Sequence, residues 1–202
     1  MIDYLAFGIA SSLLVVVLAL SSREDFRYHR ISKKYVLATF FIVIFYNNIV
    51  GGSVEATICF LLTLTVFSII TFASKGGFGF GDTLILSAIG WFIGDLIYLQ
   101  YFFILLVFSM LIFGAYFTIK NRQEKTKIVT TFFKNTSFVN VMDLKAGMTL
   151  SNDYFMKGLT EKEIEEYQKL NDDDKMVGIK KAYPFIPVIF LSFLVLVFLI
   201  LN

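Results

Sequence analysis

Cysteine and histidine each occur once in the 202 residues, as Cys59 and His29. One cysteine can close no internal disulfide and cannot build a four-cysteine zinc site. Cys59 lies inside an apolar run and reads as a packing residue. His29 has no second His or Cys with which to share a metal, so no metal and no other cofactor is expected. Charge is also scarce: Asp, Glu, Lys and Arg make up 17% of the chain, and the net charge is +2. That balance gives no case for a nucleic-acid partner. Lys and Arg are missing altogether from 1–22, 35–74, 76–119 and 182–202. No internal repeat or low-complexity linker stands out. What fills the chain instead is apolar: 57% of residues are hydrophobic, 24 of them Phe, and the mean hydropathy is +0.73. This composition excludes a soluble globular domain and a disordered chain, and it indicates an integral membrane protein with the lipid bilayer as a partner.

Charge-free stretches mark the spans at 4–22, 35–54, 56–74, 83–94, 96–119 and 182–202. Crossing about 30 Å of hydrocarbon takes about 20 helical residues, and most of these stretches have them. The stretch 83–94 does not, since a helix of that length reaches only ~18 Å. It must borrow residues on both sides, Asp82 and Asp95 included. A single span over 83–119 would be too long, so a tight turn is placed near Gly94-Asp95. All 18 Lys and Arg fall in 23–34, at Lys75, and in 120–181. The positive-inside rule puts these three places in the cytoplasm. The result is an all-α polytopic fold of six transmembrane helices with both termini outside. The first apolar run has no Lys or Arg before Arg23, so it lacks the basic start of a cleaved signal peptide and reads as a retained span. Glu55 and Asp95 read as solvated outer-loop charges, and Asn47-Asn48 as an outer loop cap.

The domains expected are a membrane domain over 1–119, a polar insert over 120–183 and the sixth helix over 184–202. The insert carries 12 Lys/Arg and 10 Asp/Glu. Lys127–Lys134 is β-branched and aromatic and suggests a strand; Phe138–Leu144 and Met176–Lys181 are two further strand candidates. Residues 143–147 look like a turn. Thr160-Glu161-Lys162-Glu163 matches a capping box opening a short helix, with Ile164, Tyr167 and Leu170 on one face. This predicts a small cytoplasmic α/β insert that leans on the membrane domain.

The chemistry lies in two carboxylates. Gly76-Gly77-Phe78-Gly79-Phe80-Gly81-Asp82 sits between two apolar runs. Lipid cannot satisfy the exposed backbone of such a loop, and an Asp at the centre of a spanning helix costs roughly 2.5–3.5 kcal/mol. An intramembrane Asp is therefore read as functional first. Asp25 lies just past the first apolar run, and two crossings return the chain to the same side before Asp82. Brought together, two carboxylates share one proton; the ionised one takes a proton from water and the protonated one donates, as in aspartic proteases. The plainer readings are an N-cap role for Asp82, which is compatible with catalysis, and a juxtamembrane pair of Asp25 with Arg23 or Arg27.

Asp25 followed by Ile31-Ser32, together with Gly79-Phe80-Gly81-Asp82, resembles the type IV prepilin peptidase family. The closer likeness is to its archaeal branch, the preflagellin (archaellin) and prepilin peptidases. Gly158–Ile164 and Tyr183-Pro184-Phe185-Ile186-Pro187 also resemble segments of that branch. The resemblance implies a membrane aspartyl endopeptidase that removes a short basic leader from preflagellin or prepilin-like precursors at the cytoplasmic face. It implies Asp25 and Asp82 as catalytic residues and Gly79, Phe80 and Gly81 as the active-site loop. The four-cysteine motif of many methylating members is missing here, so peptidase activity without N-methylation is expected. Glu24 and Asp172, Asp173 and Asp174 are the candidate contacts for a basic leader; the acidic run otherwise reads as a solvated turn. The Gly-x-Gly-Asp loop also resembles that of presenilin and signal peptide peptidase. The rival readings are a proton-coupled transporter with Asp82 as relay and a non-enzymatic membrane scaffold.

Overall fold

A computed structural model describes residues 2–28, 31–73, 79–123, 136–140, 144, 149–150, 159, 161–170, 176–180 and 185–201. Its elements run α1 (Ile2–Tyr28), α2 (Lys33–Val50), α3 (Val54–Ala73), α4 (Phe80–Ile93), α5 (Leu96–Gln123), β1 (Thr136–Asn140), β2 (Thr149–Leu150), α6 (Glu161–Leu170), β3 (Met176–Lys180) and α7 (Ile186–Leu201). Four helices, α1, α2, α3 and α5, are long and apolar enough to cross a bilayer. They carry exposed Phe41, Ile69, Ile104 and Leu111, large apolar side chains of the kind that mark a membrane-contacting surface. Around the bundle α1 packs between α2 and α7, α4 packs on α2 and α3, and α5 lies against α7.

The short fourth helix has a physical explanation. At 14 residues α4 reaches about 21 Å, and its residues Asp82, Thr83, Ile85 to Gly90 and Phe92 are all buried. A helix apolar all round is a helix wrapped by protein. α4 therefore needs no full hydrocarbon thickness of its own. Phe92 fixes its far end: the ring stacks on Phe7 at 5.2 Å, lies 4.8 Å from Tyr46 and meets Phe193 at 5.9 Å. One side chain thus ties α4 to α1, α2 and α7.

α3 and α4 approach closely at Gly90. A Cβ there would lie 2.5 Å from Thr63 Oγ1 and 3.1 Å from the Cys59 carbonyl oxygen. Small residues let helices in membranes come this close. Lower down, Thr71 and Thr83 join the same pair of helices through their hydroxyls at 2.8 Å. Gly90→Val is expected to force α3 and α4 apart and cost about 1–3 kcal/mol, the usual penalty of overpacking. Thermal unfolding in detergent measures it, and an unchanged midpoint would contradict the close crossing.

The helix breaks have local causes. Gly94 ends α4 with φ of 64°, a left-handed conformation suited to glycine, and its N–H donates to Gly90 O at 3.2 Å. The break between α4 and α5 thus falls at Gly94-Asp95. Asp95 does more than face water: its Oδ1 accepts from Ile97 and Tyr98 N–H at 2.7 and 3.1 Å, capping α5. Glu55 Oε1 likewise accepts from Leu96 N–H at 3.3 Å. α2 is capped by Gly51 at φ 78°, whereas Asn47 and Asn48 turn their side-chain amides back to the Val43 and Ile44 carbonyls.

Within the polar segment, β1, β3 and β2 form an antiparallel sheet in that order, Phe138 opposite Gly178 and Leu150 opposite Ile179. α6 occupies Glu161–Leu170 with Ile164 buried. The strand expected at 127–134 lies outside the described residues, as do Thr160, 145–147, His29 and the acidic run 172–174. Arg27 donates to Glu161 Oε1 at 3.0 Å, joining the end of α1 to α6. Both partners are largely exposed, so the pair contributes at most about 1 kcal/mol.

Candidate active site

The last turns of α1 and the starts of α2, α4 and α7 meet at one end of the bundle, the end that carries Arg23, Arg27, Lys33 and Lys34. Both sequence-predicted aspartates are buried there, Asp25 at 5% exposure and Asp82 at 8%. Asp25 lies against the start of α7 and Asp82 in the first turn of α4. Topology permitted both to lie at this end; helix packing buries them there.

Asp25 has no ion pair with Arg23 or Arg27 among the described residues. Arg23 is exposed, and Arg27 is turned to Glu161. Instead Asp25 Oδ2 accepts from the Ile186 N–H at 2.9 Å, with the Phe185 amide also in reach. These are the first amides of α7, which have no intrahelical acceptor. Pro187 follows in the first turn, where a missing N–H costs nothing. The Phe185 carbonyl then starts the helix by accepting from Val188 and Ile189 at 3.0 and 3.3 Å. The positive end of the α7 dipole therefore faces Asp25. The Pro-Phe-Ile-Pro run was visible in the sequence, yet its partner was not. The hydrogen bond joins residues 161 positions apart.

Asp82 stands at the third position of α4, and Gly79 is the N-cap, so the expected N-cap role of Asp82 shifts by one turn. The Asp82 Oδ2 reaches back to the Gly79 N–H at 3.2 Å, and the Gly79 carbonyl accepts from Asp82 and Thr83 N–H at 3.1 and 3.3 Å. This is one arm of a capping box, with Asp in the place usual for Glu. A Cβ on Gly79 would lie 2.7 Å from that same Oδ2. A Cβ on Gly81 would lie 3.3 Å from Ile31 Cδ1 and 3.5 Å from Ile31 Cβ. The Ile six residues after Asp25 thus covers the second glycine of the loop and ties the two aspartate motifs together. Phe80 is exposed at the start of α4.

One oxygen of each carboxyl is fixed by a backbone N–H, which sets the rotation of the group and directs the second oxygen elsewhere. Glu24 is half-buried beside Asp25, and its charge reaches that residue. Among the described residues no three His, Cys, Asp or Glu side chains converge into a metal-binding group. The sequence reading missed the α7 amides, the contact of Ile31 with Gly81 and the buried Thr71–Thr83 pair behind Asp82. The first two join segments far apart in the chain, and the Pro-Phe-Ile-Pro and Ile31-Ser32 runs were the available signals for them; the third joins consecutive helices.

A model of the type IV leader peptidase family matches residues 12–119. That stretch contains Asp25, the Gly-x-Gly-Asp loop and the helices that bring them together. No curated protein and no solved structure matches the chain.

Proposed function

Because the chain belongs to the type IV leader peptidase family, a multi-pass membrane family of peptidases that act on precursor proteins, we propose that Asp25 and Asp82 are its catalytic pair. The observation that carries this reading is the burial of both carboxyls at the same end of the bundle, Asp25 against the start of α7 and Asp82 in the first turn of α4. The ionised carboxylate takes a proton from water as the water oxygen attacks the scissile carbonyl carbon. The protonated carboxyl donates to the carbonyl oxygen. Collapse of the tetrahedral species then breaks the C–N bond, and the amine leaves with a proton from the pair. No covalent enzyme intermediate is required. Gly79 and Gly81 hold the Asp82 carboxyl and the loop against Ile31, and the α7 amides hold Asp25.

The substrates in this reading are preflagellin- or prepilin-like precursors with a short basic leader before an apolar helix, cut without later N-methylation. Six helices cross the membrane, with α4 and α7 as the short ones, and both termini lie outside. The basic residues at the active end support a cytoplasmic site, by the positive-inside rule. Glu24 and Asp172 to Asp174 are the candidate carboxylates for a Lys or Arg of the leader. A tagged precursor added to inside-out vesicles is expected to be cut at one bond before its apolar helix. The same precursor added to sealed right-side-out vesicles should stay intact. Mass spectrometry of the product N-terminus reads the result. An intact precursor in both preparations would overturn the peptidase reading and favour transport or a scaffold; cutting only from the outer face would invert the orientation.

A further inference from the structure

Among the described residues, buried hydroxyls in this bundle are satisfied with one exception. Among the described residues the other buried serines and threonines all have hydrogen-bond partners, mostly the carbonyl three or four residues earlier on the same helix. Ser22 does not. It is 7% exposed, and its Oγ has no partner among those residues. The usual acceptor for a helical serine is the carbonyl of residue i−3 or i−4. For Ser22 the carbonyl at i−4 is Leu18 O, which already accepts from Ser21 Oγ at 3.1 Å. A buried hydroxyl without a partner is costly and calls for an explanation.

Its position supplies one. Ser22 lies three residues before Asp25, so the two share a face of α1, and both are buried on the stripe that also holds Leu14 and Leu18. Three residues of helix advance about 4.5 Å, which puts Ser22 that much deeper into the bundle than the Asp25 carboxylate. An extended peptide advances about 3.3 Å per residue. A substrate whose scissile carbonyl sits at Asp25 therefore brings its next one or two residues past Ser22. In a leader peptidase, the chain beyond the cut runs into the bilayer, so these are the first residues of the mature protein.

We propose that Ser22 Oγ donates a hydrogen bond to a main-chain carbonyl of the precursor one or two residues past the scissile bond, and so selects which peptide bond meets Asp25 and Asp82. This rests on the leader-peptidase reading. A main-chain contact suits an enzyme that must hold apolar sequence, because the backbone polar groups are what an apolar segment offers for recognition. The contact is made to bound substrate before and during the reaction, so it acts on binding rather than on the chemical step.

The test uses the full chain in detergent and a precursor that retains both leader and apolar helix. Ser22→Ala should raise KM about tenfold, the effect of one lost hydrogen bond in a buried site, and leave kcat nearly unchanged. Its unfolding temperature should equal or exceed that of the parent, because the change removes an unsatisfied polar group and no internal bond. In the cleavage-deficient Asp82→Asn background, Ser22→Ala should weaken precursor binding by about the same factor. Unchanged KM and binding would overturn the proposal, and so would a lowered unfolding temperature, which would show that the hydroxyl is bonded within the fold. If Asp25→Asn and Asp82→Asn are inactive while Ser22→Ala behaves as the parent, the Ser22 inference alone fails. If those two Asn variants cleave normally, the Asp25–Asp82 pair itself fails, and with it the placing of the scissile carbonyl at Asp25.

Discussion

Asp25→Asn and Asp82→Asn should each lower precursor cleavage by about 10²–10⁴-fold, the span of a lost general acid or base, with the protein still folded in the membrane. The structure makes this a clean substitution. Asn keeps the shape of Asp, and its amide oxygen can still accept the N–H that now holds each carboxyl, from Ile186 in one case and Gly79 in the other. What is lost is the capacity to exchange a proton. The double variant should be no worse than either single one, because groups that act as a unit are not additive. Single-turnover cleavage of a tagged precursor measures the loss, and unfolding in detergent checks the fold. Activity above about a tenth of the parent in either variant would be too high for a missing acid or base and would remove that residue from the mechanism.

The loop glycines give the second large effect. Gly79 has φ of −74°, a conformation any residue adopts, so Ala brings no backbone strain there. Its Cβ would nonetheless stand 2.7 Å from Asp82 Oδ2, closer than real Cβ contacts come. The carboxyl must rotate away from the Gly79 N–H. A misplacement of about 1 Å costs as much as 10²-fold in rate, so Gly79→Ala is expected to lose about that much kcat with its unfolding temperature close to the parent value. Gly81→Val acts on the other side of the loop, driving its branched side chain into Ile31, which already lies 3.3 Å from the Cβ position. A loss of similar size is expected, and adding Ile31→Ala to Gly81→Val should restore part of it. Normal cleavage by Gly79→Ala would mean that the loop does not hold Asp82 in place. Failure of Ile31→Ala to help would break the proposed link between the two aspartate motifs.

Much of this was legible in one dimension. The apolar runs, the break at Gly94-Asp95 and the two aspartates at one end follow from charge-free lengths and from the placement of Lys and Arg. The reason is that transfer of charge into hydrocarbon is so unfavourable that it leaves its mark residue by residue. The helix at 161–170 and the strand at 176–180 were likewise local signals of capping, periodicity and β-branching.

The roles of individual polar groups were not legible in that way. Nothing near Asp25 in the chain announces that its partner is the first turn of a helix 161 residues later. Nothing near Asp82 shows that a glycine three residues earlier leaves room for its oxygen, or that Ile31 closes over Gly81. The sequence alone suggested that 83–94 was too short to span; only the packing of α4 among its neighbours shows why a buried helix tolerates that length. Ser22 reads as one more small residue until, among the described residues, packing gives every other buried hydroxyl a partner and leaves this one without. Hydrophobicity and charge act on each residue by itself and are written along the chain. Hydrogen bonds, close glycine contacts and the burial of two carboxylates at one end of a bundle depend on how residues far apart in the chain are brought together, and that happens when the helices pack.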